Sequence, residues 1–198
     1  RQSLPAAAET DDAIFGAVDI LSKNAGVNLR EPAAAASGEH FDRILGVNLE
    51  GLFFLTREIA RGMVRRRRGK IVNLGSITTG FGLAQLSIYG ATKGAVGQLT
   101  KTLAVEFGPD NVQVNALCPG FVRTPLTGKL WSLPAMEEWG RRRIPLGRTA
   151  VPADMVGAAV FLSSSASDYV TGQCLYVDGG FTAGEAWPIP THGGNVAP

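Results

Sequence analysis

Ser76, Tyr89 and Lys93 are the residues whose types and spacing point most directly to chemistry. In a helix, Tyr89 and Lys93 stand at positions i and i+4, so the phenol and the ammonium share one face. A free tyrosine titrates near pH ~10, and a neighbouring cation favours the phenolate and lowers that pKa. Tyr89 is therefore a candidate proton donor and acceptor, and Ser76 supplies a hydroxyl to hold a substrate oxygen. The alternative is an ordinary amphipathic helix that carries both residue types.

Length and composition favour one folded domain. The chain has 198 residues, 45% of them hydrophobic and 18% charged, so we predict a single catalytic domain over residues 1–198. The net charge of +2 is too small to indicate a nucleic-acid partner. We interpret Arg65 to Arg68 as a solvated helix end. Arg141 to Arg143 either form a solvated lid helix or steer an acidic substrate.

The remaining composition excludes several other classes. No apolar run reaches the ~18 residues of a membrane-spanning helix, so no membrane partner is predicted. Cys118 and Cys174 lack the spacing of a metal site or a disulfide framework, and we interpret them as free thiols in the cytoplasm. No metal site is predicted. The chain begins with Arg1 and shows no signal or transit segment, so we expect it to start partway into a longer protein.

Segments typical of strands and helices alternate along the chain, which predicts βαβ units around a parallel sheet. Asn48 interrupts the apolar stripe of the first long helix. Strands are predicted over residues 18–21, 70–74, 112–117 and 173–177, and helices over residues 41–66, 88–107 and 152–163. The intervening residues 121–150 are proline-rich and are predicted to form an irregular lid. Its larger apolar side chains are expected to be exposed unless something covers them, namely Trp131, Leu133, Met136 and Trp139.

The predicted strands end in distinctive loops at the edge where parallel sheets bind ligands. These loops are Asn24-Ala25-Gly26, Gly75-Ser76, Pro119-Gly120 and Asp178-Gly179-Gly180. Together with the Tyr/Lys helix they resemble the short-chain dehydrogenase/reductase family over about residues 15–181. The resemblance implies a Rossmann-type, doubly wound parallel sheet in three α/β/α layers. It also implies NAD or NADP as cofactor and hydride transfer to or from a secondary alcohol or ketone.

The same resemblance assigns a role to each of four residues. Tyr89 matches the family's catalytic acid/base, and Lys93 matches the residue that lowers the tyrosine pKa and bonds the nicotinamide ribose. Ser76 matches the hydroxyl that polarises the substrate oxygen. Asn48, twenty-eight residues before Ser76, matches the helix asparagine that holds a water connecting the lysine to solvent. A buried Asn48 bonded only to protein is the alternative, because a polar group on an apolar stripe needs partners in either case.

Two loops are assigned to the cofactor by the resemblance. Asn24-Ala25-Gly26 resembles the N-N-A-G motif along the adenosine. Pro119-Gly120 begins the P-G-x-x-x-T loop, in which the Val122 backbone and the Thr124 side chain bond the carboxamide. This chain has Lys23 where the family has the first asparagine, which predicts a charge beside the adenosine site.

Nothing in residues 1–16 resembles the family's glycine-rich turn, which binds pyrophosphate at a helix N-terminus. Truncation or omission of the first βα units is the expected reason, because an unpaired parallel strand is an aggregation hazard; a natural minimal variant is the alternative. The residue that selects NAD or NADP is missing together with this glycine-rich turn, so the sequence does not predict which of the two cofactors is preferred.

The resemblance extends to substrate and assembly. It implies a small secondary alcohol such as a sugar acid or polyol, in a pocket lined by residues 77–81, Gln85, Phe121 and the lid. It also implies a homo-oligomer, a tetramer or a dimer, paired through the helices at 41–66 and 88–107. The tail with Trp187 either reaches a neighbouring subunit or lacks fixed structure. A non-catalytic fragment that acts as an interaction or regulatory protein is the alternative function.

Overall fold

The computed structural model describes residues 17–125 and 127–185, and these contain a parallel four-stranded sheet in the order β1-β2-β3-β4. The strands are β1 (Ile20–Lys23), β2 (Gly69–Leu74), β3 (Val112–Pro119) and β4 (Cys174–Val177). The α-helices are α1 (Gly38–Leu45), α2 (Leu52–Arg66), α3 (Ser87–Phe107), α4 (Gly128–Trp131), α5 (Pro134–Arg143) and α6 (Ala153–Ser163).

Helices cover both faces of the sheet, which confirms the predicted α/β/α layers. On one face α2 and α3 pack against β2 and β3, through Ile59, Ala60, Met63, Ile71, Leu103, Ala104, Val112 and Val114. On the other face Leu162 of α6 packs against Val72 and Leu117. Strands β2 and β3 are covered by both layers, so most of their residues are buried, including the polar Asn73 and Asn115.

The first long helix differs from its prediction. Helix α1 starts at Gly38, three residues before the predicted start, because the Ser37 hydroxyl accepts a hydrogen bond from His40 N at 3.1 Å and caps it. A π-helical turn, Gly46–Gly51, then separates α1 from α2. This wider turn changes the helical register, and Phe41 of the predicted apolar stripe is consequently 46% exposed.

Strand β1 lies two residues later than predicted. The apolar residues at 18–21 suggested the strand, whereas the pairing with β2 runs from Ile20 opposite Lys70 to Lys23 opposite Asn73. Val18 and Leu21 still pack against the core. The prediction ended the strand too early because the last side chains of β1 are polar and do not continue the apolar pattern.

The predicted irregular lid contains two helices, α4 and α5. Trp131 was expected to be exposed unless something covered it, and it is covered: only 1% of it is accessible. It packs edge-on against Phe121, with ring centroids 5.2 Å apart, and against Gly140, where a β-carbon would lie 3.1 Å from the indole. Gly140 therefore lets α5 cover Trp131. Leu133 is 52% exposed, as predicted.

The expectations for residues 1–16 and for the tail that contains Trp187 fall outside the described residues. In the part of the chain that the structure describes, no helix is both long enough and apolar enough to cross a membrane.

Candidate active site

The carboxyl ends of the four strands lie at one edge of the sheet, because all neighbouring strands are parallel. Gly120, the first residue after β3, donates to Val177 O at 3.0 Å. A β-carbon on Gly120 would lie 2.6 Å from the Asp178 Cα, so a larger residue would push the two loops apart. The strand order thus brings the predicted loops together, and close backbone packing holds the last two.

Ser76 follows the turn that ends β2 and is buried. Its hydroxyl accepts from Thr78 N at 3.1 Å, and its own N–H donates to Thr79 Oγ1 at 3.1 Å. These reciprocal bonds cap the short 3₁₀ turn Ile77–Thr79 and fix the direction of the serine side chain. The Ser76 hydroxyl is close enough to Tyr89, in the first turn of α3, to lower the pKa of the phenol. The two hydroxyls are therefore held side by side.

Lys93 lies one turn after Tyr89 on α3 and is only 2% exposed. Its Nζ donates to the Leu74 carbonyl oxygen at 2.7 Å and lies 5.6 Å from the centroid of the Tyr89 ring. Burial lowers the pKa of Lys93 from 10.5 to about 8. The Tyr89 ring, the ammonium and the end of β2 consequently form one compact group.

The protonation of Tyr89 differs from the expectation based on spacing. Burial disfavours the phenolate and raises the pKa of Tyr89 above 10.0, while the Ser76 hydrogen bond and the Arg30 charge lower it to a smaller extent. Lys93 is not among the groups that shift this pKa; its ammonium lies 5.6 Å from the ring centroid and is bonded to the Leu74 carbonyl, and its expected effect on Tyr89 stays a prediction. Tyr89 is held as a neutral phenol, the form that donates a proton.

Asn48 lies inside the π-helical turn and is 1% exposed. Its Oδ1 accepts from Val27 N at 2.8 Å, and its Nδ2 donates to Val27 O at 2.9 Å and to Thr92 Oγ1 at 3.4 Å. The π turn projects this amide toward the loop after β1, and such turns occur frequently at functional sites. Asn48 therefore clamps that loop next to the Tyr89 helix.

The loop after β1 passes close to the same group. A β-carbon on Gly26 would lie 3.5 Å from Asn48 Oδ1 and 3.9 Å from Lys93 Nζ. The glycine therefore lies within van der Waals distance of the buried lysine, and the preceding Asn24 and Ala25 are exposed. The loop that the sequence assigns to the cofactor thus lies next to Lys93.

The second predicted cofactor loop leaves β3 at Pro119-Gly120. Thr127 Oγ1 donates to Val122 O at 2.6 Å, and the Thr124 and Thr127 hydroxyls lie 3.2 Å apart. Val122 also forms an isolated bridge with Ala150. These bonds give the loop a defined shape and leave the partly buried Thr124 close to the strand ends.

Lys23 does not lie beside an adenosine site as predicted. Its side chain is buried under α2, where Nζ donates to Thr56 Oγ1 and to Leu52 O. Burial lowers the pKa of Lys23 from 10.5 to about 7. Side chains alternate between the two faces of a strand, and Lys23, the last residue of β1, points to the helical layer. The loop begins one residue later.

Two features of the site were not identified from the sequence. Arg30 is close enough to Tyr89 for its charge to affect the phenol, and only its position four residues after Gly26 could have indicated it. Gln85 adopts a left-handed backbone conformation, with φ of 65°, and its carbonyl accepts from Glu31 N at 3.2 Å. This bond joins the loop after β1 to the loop before α3.

Aromatic rings organise the predicted substrate side. Phe121 packs against Phe181 with ring centroids 4.9 Å apart and against Trp139 at 5.4 Å, and Phe81 lies 5.1 Å from Phe181. Ile77 is buried in the same cluster. The cluster connects the lid to the loops after β2, β3 and β4, while Gln85 remains exposed.

Comparison with known proteins places this arrangement in a family. The family model described as enoyl-(acyl carrier protein) reductase matches residues 1–182. A gluconate 5-dehydrogenase from Gluconobacter oxydans is 42% identical over 168 residues, which cover 85% of this chain and 66% of that enzyme. A 5-keto-D-gluconate 5-reductase from Escherichia coli is 37% identical over 180 residues, which cover 91% of this chain and 71% of the reductase.

Solved structures agree with the sequence comparisons. A gluconate 5-dehydrogenase from Burkholderia cenocepacia, crystallised with NADP and tartrate, superposes with a TM-score of 0.90 at 38% identity. The match covers 92% of this chain and 72% of that protein, so the chain spans about two thirds to three quarters of its relatives' lengths. The chain belongs to the short-chain dehydrogenase/reductase family.

Proposed function

We propose that the protein is an NAD(P)-dependent oxidoreductase that transfers a hydride to or from a secondary alcohol or ketone. The observation that carries this proposal is the grouping of Ser76, Tyr89 and Lys93 at the end of β2, with Asn48 beside them. When bound, the nicotinamide cofactor supplies or accepts the hydride. The described residues provide the proton and the positioning that this reaction needs.

Each of the four residues has a distinct part. Ser76 orients the substrate oxygen beside Tyr89, and Tyr89 donates a proton to a ketone or accepts one from an alcohol. Lys93 binds the ribose hydroxyls and restores the proton of Tyr89, for which its pKa of about 8 is well matched. Asn48 holds the loop after β1 in place and connects the lysine to solvent through a water. The raised pKa of Tyr89 favours the protonated state that ketone reduction requires.

The substrate class that we propose is a small sugar acid or polyol. Arg30 brings positive charge to the phenol of Tyr89, which favours a substrate that carries a carboxylate. The names of the two related enzymes, a gluconate dehydrogenase and a ketogluconate reductase, support the same class. NAD and NADP both remain candidate cofactors, and the Burkholderia structure contains NADP.

We also propose that the protein is a cytoplasmic homotetramer built through α2 and α3. Phe53 of α2 is 41% exposed and Val105 of α3 is 79% exposed, and a groove of about 270 Å³ runs between these helices. Apolar side chains on two adjacent helices are suited to pairing with a second copy. The free thiols are in keeping with a reducing compartment.

The test is a comparison of Tyr89→Phe with Tyr169→Phe, assayed with NAD and NADP against gluconate, ketogluconates and a panel of polyols. Tyr89→Phe should fold and bind cofactor but lose turnover, because the proton donor is gone. Tyr169 is fully exposed, so Tyr169→Phe should keep wild-type activity. Full activity in Tyr89→Phe would contradict the proposed role.

A non-catalytic interaction protein is the competing function, and the same assay separates the two. That alternative predicts no turnover with any substrate and no cofactor binding by the wild-type protein. No comparison supports it.

A further inference from the structure

Arg123 lies between the two residues of the loop after β3 that are predicted to bind the nicotinamide carboxamide. Those two residues are bonded within the loop: Val122 O accepts from Thr127 Oγ1 at 2.6 Å, and Thr124 Oγ1 lies 3.2 Å from the same hydroxyl. Arg123 N donates to Ala150 O at 2.8 Å. The Arg123 side chain, by contrast, leaves the loop and contacts the lid.

The guanidinium of Arg123 joins this loop to three segments of the lid. Nε donates to Thr149 Oγ1 at 2.7 Å, Nη1 to the Trp131 carbonyl at 3.4 Å and Nη2 to Glu137 Oε1 at 2.8 Å. Trp131 is the last residue of α4, and Glu137 is in the first turn of α5. The ion pair with Glu137 is partly exposed and contributes little stability by itself. Because the guanidinium is planar and its N–H groups have a fixed geometry, the three bonds instead set the positions of these segments relative to the loop.

The segments held by this guanidinium carry aromatic side chains of the predicted substrate side. Trp131 of α4 is buried, with its ring centroid 5.2 Å from that of Phe121, and the Trp139 ring of α5 lies 5.4 Å from Phe121. Ile77, the residue after Ser76, belongs to the same cluster as Phe121 and Trp139. A shift of α4 or α5 would therefore move the aromatic wall that adjoins Ser76.

We propose that Arg123 is a positioning residue that couples the cofactor loop to the lid on the substrate side. The inference rests on the proposed function, because it takes the loop at Val122 and Thr124 as the binding site of the carboxamide. The loop loses freedom of motion when these two residues are bonded to the carboxamide, and Arg123 passes that restriction to α4 and α5 through its three bonds. Proton transfer stays with Ser76 and Tyr89, since the three side-chain partners of Arg123 all belong to the lid.

Amide hydrogen exchange of the lid tests the coupling without any turnover. Exchange is followed by mass spectrometry for peptides within residues 128–143, with and without saturating NAD or NADP. In the wild type we expect the cofactor to slow the exchange of these peptides by about threefold or more, and Arg123→Met should abolish the slowing. Peptides within residues 88–96, which contain Tyr89 and Lys93, should still respond to cofactor in the variant. A residue that only stabilised the lid would affect exchange in the free protein and leave the response to cofactor intact.

Arg67→Met is the matched control. Arg67 also donates to a carboxylate and to a carbonyl, Asp110 Oδ1 at 3.1 Å and Pro109 O at 2.7 Å, but it lies at the end of α2. This variant should respond to cofactor like the wild type. The double variant Glu137→Leu/Thr149→Val keeps the arginine of the loop and removes two of its acceptors. It should also lose the lid response, so the test does not depend on the folding of one variant.

Steady-state kinetics separate positioning from chemistry. Arg123→Met should raise KM for the sugar-acid or polyol substrate about tenfold and leave kcat within about twofold of wild type, because the proton donor is unchanged. A lower kcat at unchanged KM, a lid response retained in Arg123→Met, or a wild-type lid that does not respond while the α3 peptides do would overturn this inference alone. Responses of the lid and of α3 without turnover of any substrate would support the coupling and contradict the proposed function. No response to cofactor in either region would overturn both.

Discussion

Two lysines of this protein are almost fully buried, and the comparison of their surroundings separates a catalytic position from a structural one. Lys93 and Lys23 are 2% and 7% exposed, and burial lowers the pKa of both, to about 8 and about 7. Lys93 lies over the ring of Tyr89 and beside Gly26 in the loop after β1. Lys23 lies under α2 with Thr56 and the Leu52 carbonyl. A lowered pKa alone therefore does not mark a functional lysine.

The largest expected contrast is in turnover. Lys93→Met should reduce activity by at least about 100-fold, because proton transfer at Tyr89 and the orientation of the cofactor both depend on the ammonium. Lys23→Met should keep activity within a few-fold of wild type. Steady-state kinetics of the two variants provide the measurement. If Lys23→Met lost as much activity as Lys93→Met, the proposed separation of the two sites would be wrong.

A smaller effect is expected from the amide that clamps the loop after β1. Asn48→Ala leaves the Val27 N–H and C=O without their partner, and unpaired buried groups cost roughly 1–3 kcal/mol each. We expect the free energy of unfolding to fall by about 2–4 kcal/mol. Asn73→Ala is a matched control, because buried Asn73 donates one hydrogen bond, to Thr100 Oγ1. Chemical denaturation that finds equal losses in both variants would argue against a special role of Asn48.

The smallest predicted change concerns the pH dependence of stability. The folded-state pKa of Lys23 is about 7 and its ordinary value is 10.5, so between these pH values only the unfolded chain holds the proton. Stability due to this residue therefore rises with pH from about 7 to 10.5, and below 7 its burial is destabilising by a constant amount. Lys93 acts in the same direction between about 8 and 10.5.

Lys23→Met should consequently stabilise the protein at pH 7 and flatten the rise of stability with pH. We expect a gain on the order of 1–3 kcal/mol, below the limit of roughly 5 kcal/mol that the pKa interval implies, because the variant loses the hydrogen bonds to Thr56 and Leu52. Urea denaturation at pH 7, 8 and 10 measures the difference from wild type. A stability loss at pH 7 would mean that the lysine is held charged by its partners.

The parts of the site that follow from strand order and helix spacing were predictable from the sequence. Ser76 and Tyr89 belong to elements whose apolar patterns are clear, and parallel strands bring their ends together by topology. The protonation of Tyr89 was not predictable, because burial depends on the packing of the whole site. The direction of Lys23 depends on the last residue of a short strand, and strand ends are the least certain feature of a sequence pattern.

Local irregularities of the backbone account for the other differences between the predictions and the structure. The π turn around Asn48 has no sequence signal apart from the polar residue on an apolar stripe. Trp131 is buried because Gly140 allows α5 to approach it, a contact between two segments that both look loop-like in sequence. Prolines in the lid indicated chain breaks correctly, but short helices fit between them.

The π turn Gly46–Gly51 also bears on how this chain tolerates deletions. It contains one residue more than an α-helical segment of the same height, so loss of a single residue here would leave a continuous, fully hydrogen-bonded α-helix. The elements on either side would keep roughly their relative orientation, because the wider π turn already absorbs the extra residue. The direction of the Asn48 side chain would change, since it depends on that turn. A one-residue gap would thus be almost silent in circular dichroism and yet release the loop that Asn48 secures.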